Sequence, residues 1–273
     1  MMWEKLRPLD DGWYNRRHGL IGPPLLLLAL VVGYLLPLSR PAFAAESVDL
    51  LLILAADVSY SIDEPQFILQ RKGYASAFRD KQVVAAIESG VIGRIAVTFI
   101  EWSGETWQQR VVDWTLINDA MSAGTFSQKV LAAPRSFSER TSISGAIYFS
   151  MEEFERAPFL SKRRIIDISA NGDNNAGRSV TIARDEACSR GITINGLAIL
   201  EKVSRDRSGG MITDLGKYFE NNVIGGPNAF VVRSTDYHSF GDALVRKLTR
   251  EIARTNNYRY GALMYNVSQS LGR

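Results

Sequence analysis

The sequence predicts an α/β protein with a doubly wound, mostly parallel six-stranded sheet, helices on both faces and one antiparallel edge strand. Short apolar runs, which are typical of parallel strands buried on both faces, alternate along the chain with segments of helical periodicity. The composition, 46% hydrophobic and 22% charged over 273 residues, is that of a globular protein and excludes a disordered or low-complexity chain.

The predicted strands alternate with the predicted helices along the chain. Residues 49–56 form an apolar run that ends at Asp57, and residues 111–116 alternate less cleanly between polar flanks, as expected of an edge strand. The other predicted strands are 95–100, 165–168, 192–199 and 229–232.

Four segments have the spacing of amphipathic helices that pack one face against the sheet. Asp63 precedes the first of them and can cap it, and Gly191 follows the third as a helix-ending glycine. The predicted helices are 65–78, 144–154, 180–189 and 239–252.

The first 44 residues have the features of an export signal. A basic start is followed by a short apolar centre, residues 25–32, and by small residues at Ala42 and Ala44. We therefore predict a signal peptide at 1–44, a single domain at 45–253 and a tail at 254–273, in a periplasmic or secreted bacterial protein. An uncleaved anchor is the alternative, and membrane contact is expected only in that case; Arg16 and Arg17 leave a twin-arginine export route open.

Charge and cysteine content exclude several classes of function. The leader holds five of the 32 basic and three of the 29 acidic residues, so the rest of the chain carries 27 and 26, a net charge of +1. This balance indicates no nucleic-acid partner. The single cysteine, Cys188, cannot form an intramolecular disulfide or supply a cysteine-rich zinc site.

A cluster of hard oxygen donors follows the first strand. Ligands of open α/β sheets bind at the carboxyl ends of the strands, and Asp57, Ser59 and Ser61 place one carboxylate and two hydroxyls there at alternate positions. Such oxygens suit Mg²⁺, with Mn²⁺ or Ca²⁺ as alternatives. Read without a metal, Asp57 and Ser59 would simply cap the turn and the helix that follows.

Two further polar loops are expected on the same edge of the sheet. Thr141 precedes the helix at 144–154 and offers another hydroxyl, and the strand at 165–168 leads into a polar turn at 169–175. Each loop lies at the start of a helix.

These loops resemble those of the von Willebrand factor type A (VWA) domain, and the resemblance covers residues 47–253. It rests on the D-x-S-x-S sequence at Asp57, the threonine at Thr141 and the turn at Asn171-Gly172. It implies a metal-ion-dependent adhesion site in which an acidic group of a partner completes the coordination of the metal. More narrowly, the segments 100–104, 111–116 and 166–169 are similar to a family of secreted bacterial VWA-like proteins called domain of unknown function 1194.

The third loop departs from the VWA pattern. That family has Asp immediately before Gly, whereas this chain has Asn171, with Asp173 following the glycine. Asn171 can still offer a carbonyl oxygen, and Asp173 would restore the negative charge if the turn is rearranged. The turn is also explained by residues that tolerate a positive φ.

We therefore predict an exported binding module, and not an enzyme, that recognises a protein or acidic ligand through a metal site at Asp57, Ser59, Ser61, Thr141, Asn171 and Asp173. A metal-free VWA scaffold that acts by surface contacts is the main alternative, and a metal-dependent hydrolase is a weaker one. The position after Asp57 where aspartyl-phosphate hydrolases need a second Asp is Ser59, and the G-x-S-x-G and phosphate-binding glycine motifs do not occur in the sequence.

The sequence also predicts the surroundings of four other residues near the ends of the strands. Glu101 is expected to be a solvated charge on the rim and His238 a solvated turn residue. Trp102 is expected to be a packed aromatic, with a recognition surface as the alternative. Tyr60 is expected either to flank a ligand or to cover the helix behind it.

Overall fold

A computed structural model describes residues 45–136, 138–200, 204–205, 211–212 and 214–253. The predictions for the leader, 1–44, and for the tail, 254–273, lie outside the described residues.

The strands follow the apolar runs that predicted them and extend some of them by a few residues. In chain order they are β1 (Glu46–Ser47), β2 (Leu51–Asp57), β3 (Ile95–Trp102), β4 (Gln108–Ile117), β5 (Phe159–Leu160), β6 (Arg164–Ala170), β7 (Ile192–Ile199), β8 (Ser204–Arg205), β9 (Met211–Ile212) and β10 (Val231–Ser234).

The predicted six-stranded sheet is confirmed. Its order is β10-β7-β6-β2-β3-β4, and every neighbouring pair is parallel except β3 and β4. β4 is therefore the single antiparallel edge strand. Two-residue strands make two small separate pairs, β1 with β5 and β8 with β9.

The described helices pack on both faces of the sheet. They are α1 (Glu64–Arg79), α2 (Lys81–Glu88), α3 (Ala120–Ala132), α4 (Ile143–Glu155), α5 (Val180–Ser189), α6 (Leu215–Tyr218) and α7 (Phe240–Ala253). Buried side chains of α1, α2, α3 and α7 form one apolar cluster with one face of the strands, and those of α4, α5 and the segment from α6 to residue 223 form the other. No helix in the described ranges is long and apolar enough to cross a membrane.

The helix signals in the sequence are confirmed where they were strongest. Asp63 caps α1 in a capping box, in which its carboxylate accepts the Gln66 N–H and the Gln66 side chain accepts the Asp63 N–H. Gly191, at φ +72°, ends the segment after α5. The helices predicted from the sequence do not include α2, α3 and α6. α2 has eight residues and shares its capping residue, Asp80, with the end of α1, so no loop separates the two helices.

The parallel strands β2, β3 and β6 place their carboxyl ends at the same edge of the sheet. β2 and β3 are buried along their whole length, as expected of central strands covered on both faces. Asp57 of β2 pairs in register with Trp102 of β3, and Ala56 of β2 pairs with Ser169 of β6. The loops after β2 and β6 therefore leave the sheet side by side.

Candidate functional site

The loop after β2 folds around its aspartate. Asp57 is fully buried, and its Oδ1 accepts the backbone N–H of Ser59 at 2.8 Å. The hydroxyl oxygens of Ser59 and Ser61 lie 3.1 Å apart, within hydrogen-bond distance of each other. The alternate spacing of the three side chains therefore places one carboxylate and two hydroxyls together.

The second carboxylate oxygen of Asp57, Oδ2, is buried and has no hydrogen-bond partner among the residues that the structure describes. Burial raises the pKa of Asp57 from its ordinary 3.8 to about 6, although the N–H and hydroxyl of Ser59, the N–H of Asn171 and the charge of Arg135 all oppose the change. A buried oxygen without a partner costs free energy and calls for an explanation, of which an ion is one.

The loop after β6 reaches the first loop through Asn171. The hydroxyl of Ser61 donates to Oδ1 of Asn171 at 2.8 Å, and the Asn171 N–H hydrogen bonds to Asp57. Asn171 is thus in the position from which a side-chain oxygen could join those of the first loop. Asp173 is buried in the same loop, 5% exposed.

The loop before α4 connects to both of the others. The Tyr60 N–H donates to the Glu139 carbonyl at 2.9 Å. Thr141, which is 4% exposed, donates its N–H to Oδ1 of Asn175 at 3.0 Å, and its carbonyl accepts the N–H groups of Asn175 and Ala176. The structure therefore brings Asp57, Thr141 and the polar turn of the third loop to one edge of the sheet.

A buried ion pair that the sequence analysis missed holds the loop before α4. The expectation that Glu101 is a solvated rim charge is wrong, because Glu101 is fully buried and its Oε1 lies 2.6 Å from Nη2 of Arg71. Its Oε2 accepts the N–H of Ser136 at 2.7 Å. The Arg71 guanidinium lies 5.1 Å from the ring of Phe67 and 5.0 Å from that of Phe99. A signal was present, because Arg71 follows Phe67 by four residues on the apolar face of α1, where an arginine needs a partner.

A second arginine ties the same segment to the start of α1. Nη2 of Arg135 donates to the Ile62 carbonyl at 2.7 Å, and Nη1 lies 3.1 Å from a carboxylate oxygen of Glu64. The charge of Arg135 also acts on Asp57.

The remaining rim residues divide into buried and exposed ones. Trp102 is a fully buried, packed aromatic, as expected. His238 is exposed, also as expected. Tyr60 is 70% exposed, so it does not cover the helix behind it.

The donors at this edge are suited to a hard cation. One carboxylate, hydroxyls and an amide carbonyl are ligands of the kind that Mg²⁺ and Ca²⁺ take. Within the described part of the chain, no group of three or more His, Cys, Asp or Glu residues could hold a metal by itself, so a metal here would depend on hydroxyl and amide oxygens.

Comparison with solved structures shows the fold. Proximal thread matrix protein 1 from the mussel byssus matches with a TM-score of 0.54 and 11% identity over 77% of this chain and 48% of that one. A second structure of that protein, with zinc in its MIDAS motif, matches with a TM-score of 0.54 and 12% identity over 77% and 47%. The pilus adhesin SpaC from Lactobacillus rhamnosus GG gives 0.54 and 11% over 76% and 30%.

A von Willebrand factor type A protein from Catenulispora acidiphila gives a TM-score of 0.50 and 13% identity over 77% of this chain and 43% of that one. The chain thus spans about half or less of the length of each of these proteins, and at these identities the likeness concerns the fold alone. No curated protein matches the sequence.

The family is shown by a match along most of the chain. The model of a family described as "Protein of unknown function (DUF1194)" matches residues 47–256, which include all three loops and the whole six-stranded sheet. The chain therefore belongs to the DUF1194 family and has the fold of a VWA domain.

Proposed function

We propose that this protein is a binding module that recognises a protein or acidic ligand through a metal-ion-dependent adhesion-type site at the edge described above. The observation that carries the proposal is Oδ2 of Asp57, a buried carboxylate oxygen without a partner in the described part of the chain, at the point where three polar loops meet. The residues proposed to hold the metal are Asp57, Ser59, Ser61 and Thr141, with Asn171 and Asp173 from the third loop.

The chemistry of the donors favours a hard divalent cation. A carboxylate as deeply buried as that of Asp57 is costly as an anion, and the raised pKa expresses that cost. A bound divalent cation would offset the charge, and it would supply a positively charged position for a carboxylate of the ligand. Mg²⁺ is the proposed ion, with Mn²⁺ or Ca²⁺ as alternatives. The zinc-occupied MIDAS motif belongs to the mussel protein and supports only the possibility of such a site on this fold.

One observation favours a second reading, a metal-free scaffold that binds by surface contacts. The hydroxyl of Ser61 donates to Asn171 Oδ1, so two of the proposed ligand oxygens are paired with each other. Position 171 also carries an amide where the VWA pattern has a carboxylate, and fewer charged ligands weaken cation binding unless Asp173 takes part.

We also propose that the protein acts outside the cytoplasm, in the periplasm or beyond, from the export features of residues 1–44. Fractionation of cells that produce the full chain, with N-terminal sequencing of the product, tests this. A product that begins after Ala44 indicates cleavage, and an intact product in the membrane fraction indicates the anchor. An intact product in the cytoplasm contradicts the proposal.

Thermal unfolding with and without metal tests the site. A ligand that binds only the folded state stabilises it by about 2.7 kcal/mol at a hundredfold excess over its Kd. We therefore expect Mg²⁺ or Mn²⁺ to raise the Tm of the wild type and EDTA to reverse the effect. Asp57→Asn should abolish the shift, yet raise the Tm in EDTA, because it removes an uncompensated buried charge.

Asp113→Asn is the matched control, since its side chain is 83% exposed and lies away from the three loops on β4. It should keep the wild-type response to metal. If wild type and Asp57→Asn respond alike to metal and to EDTA, the metal-free scaffold is the correct reading.

Two substitutions separate the roles of the third-loop residues. Asn171→Asp restores the acidic residue of the VWA pattern and is expected to increase the Tm shift at a given Mg²⁺ concentration. Asp173→Asn should reduce the shift only if Asp173 takes part in the site. An Asn171→Asp variant with an unchanged metal response would show that position 171 does not bear on the metal.

A further inference from the structure

Two adjoining depressions lie at the opposite edge of the sheet, where β2, β3 and β6 begin. The basic cavity has a volume of about 180 Å³, and its lining includes Lys162, Arg163, Arg164 and Glu251. The apolar groove has a volume of about 530 Å³, and its lining includes Asp49, Val91, Ile92, Leu160, Lys162 and Arg163. Lys162 and Arg163 belong to both, so the two depressions meet at these residues.

The basic cavity carries an excess of positive charge. Three consecutive cations, Lys162, Arg163 and Arg164, line it, and Lys162 is exposed. Arg163 is held in place by a hydrogen bond of 2.6 Å from Nη2 to the Glu251 carbonyl. The carboxyl of Glu251 is buried and shares Nζ of Lys247 with Asp167, so the lining of the cavity carries three cations against one buried carboxyl.

The apolar groove exposes large aliphatic side chains together. Val91 is 62% exposed, Ile92 42% and Leu160 58%. The local fold holds them outward, because the carboxylate of Asp49 accepts the N–H groups of Ile92 at 3.0 Å and of Gly93 at 2.8 Å and so fixes the loop before β3. Leu160 is fixed by the pairing of β5 with β1. Apolar side chains clustered and exposed in this way indicate a binding surface.

We propose that this edge binds a single amphiphile, with its anionic head in the basic cavity and its acyl chain along the apolar groove. Neither depression alone defines the ligand: the cavity selects a small anion by charge, and the groove selects a hydrocarbon chain by its aliphatic walls. Because the cavity and the groove meet at Lys162 and Arg163, one molecule with an anionic head joined to a hydrocarbon chain can occupy both. The site lies at the opposite end of the strands from Asp57 and is independent of the proposed metal site.

Chain length gives the sharpest test. Each methylene buried contributes about 0.8 kcal/mol, which is about a fourfold change in Kd. With octyl, decyl and dodecyl phosphate below their micelle concentrations, and the full chain in the calorimeter, we expect Kd to fall about tenfold for every two methylenes, since the groove is open on one side. Inorganic phosphate should bind far more weakly than any of them.

Two variants test which part of the site binds the anionic head and which part binds the hydrocarbon chain. Lys162→Glu should weaken all three alkyl phosphates by tenfold or more, and Leu160→Asp should remove the dependence on chain length. Both positions are exposed, so the variants are expected to fold. Lys129→Glu and Ile182→Asp, an exposed lysine and a 61% exposed isoleucine elsewhere on the surface, are matched controls and should bind as the wild type does. Asp57→Asn should also leave binding unchanged.

Three results would overturn the proposal: a Kd that does not depend on chain length, equal losses in the control variants, or binding to phosphatidylglycerol vesicles with none to the monomeric alkyl phosphates. The last would mean that this edge contacts a bilayer surface and does not enclose one molecule.

Discussion

A buried charge cluster between α7 and the sheet makes the stability of the fold dependent on pH. Nζ of Lys247 lies 2.5 Å from Oδ1 of Asp167 on β6 and 2.5 Å from Oε1 of Glu251, and the three side chains are fully buried or nearly so. Asn195 of β7 donates to Oε1 of Glu251 at 2.8 Å. Burial, and then the charge of Asp167, raise the pKa of Tyr74 on α1. Two carboxyl groups thus share one ammonium, and a proton on one of them makes the cluster neutral.

The size of the effect follows from Glu251. Burial, and then the charge of Asp167, raise the pKa of Glu251 from its ordinary 4.5 to about 7, against the opposing effects of Lys247 and Asn195. Between those pH values the folded protein keeps a proton that the unfolded chain has lost. The resulting stabilisation is complete below pH 4.5 and is lost as the pH rises through 7; its size is about 3 kcal/mol at most, at about 1.4 kcal/mol per tenfold change in proton affinity.

Glu251→Gln isolates this contribution, because a glutamine can still accept from Lys247 and Asn195 but cannot ionise. We expect urea unfolding to give similar free energies for variant and wild type near pH 4.5. At pH 8 the variant should be more stable by up to about 3 kcal/mol. Glu152→Gln, at a carboxylate that is 64% exposed, should follow the wild type throughout. A wild type that gains stability relative to Glu251→Gln as the pH rises would refute the reasoning.

Two further substitutions test what holds the loops of the site. Glu101→Gln leaves the charge of Arg71 buried without its partner and should cost about 3 kcal/mol of stability in urea unfolding, while the double variant with Arg71→Met should recover much of it. Gly177→Ala should cost about 2 kcal/mol or more in the same assay, because Gly177 has φ +72° and a Cβ there would lie 2.6 Å from the Ser142 hydroxyl oxygen. Gly172→Ala in the same loop meets nothing within 4 Å and should change stability by less than about 0.5 kcal/mol; equal costs at the two glycines would contradict the packing reason.

The sheet could be predicted from the sequence because its signal is local. A strand buried on both faces must be apolar at successive positions, so the runs at 49–56 and 192–199 are visible without knowledge of their partners. Helix α2 carries a local signal in Val83, Ala86 and Ile87, which lie on one buried face, but the helix is only eight residues long. Helix α3 lacks such a signal. α3 carries Gly124 and several Ser and Thr residues, which are weak helix formers, and its stability comes from Phe126 and Val130 packing in the core. That packing depends on tertiary structure and cannot be read from the segment.

The candidate site, like the fold, could be predicted only in part. The donor loops follow strands, and the topology of a parallel sheet places such loops on one edge, so Asp57 and Asn171 could be expected to meet. The groups that fix the loops could not be predicted, because their partners are distant in sequence. Glu101 and Arg71 are separated by 30 residues. A charged residue at the end of a strand is expected to be solvated unless a helix covers it, and the position of that helix is a property of the tertiary structure.

The single carboxylate of the first loop has a consequence for the order in which metal and ligand would bind. If Asp173 does not take part, so that Asp57 is the only charged group of the proposed site and Asn171 contributes only an amide, a divalent cation there keeps a positive charge that the protein does not neutralise. The nearby cation Arg135 adds to it. A carboxylate of the ligand would then supply the missing negative charge, so metal and ligand should each bind weakly alone and more tightly together, by the same factor in both directions. Asn171→Asp should therefore strengthen metal binding and reduce the factor by which the ligand increases the affinity for the metal. A change in packing alone would not produce both effects.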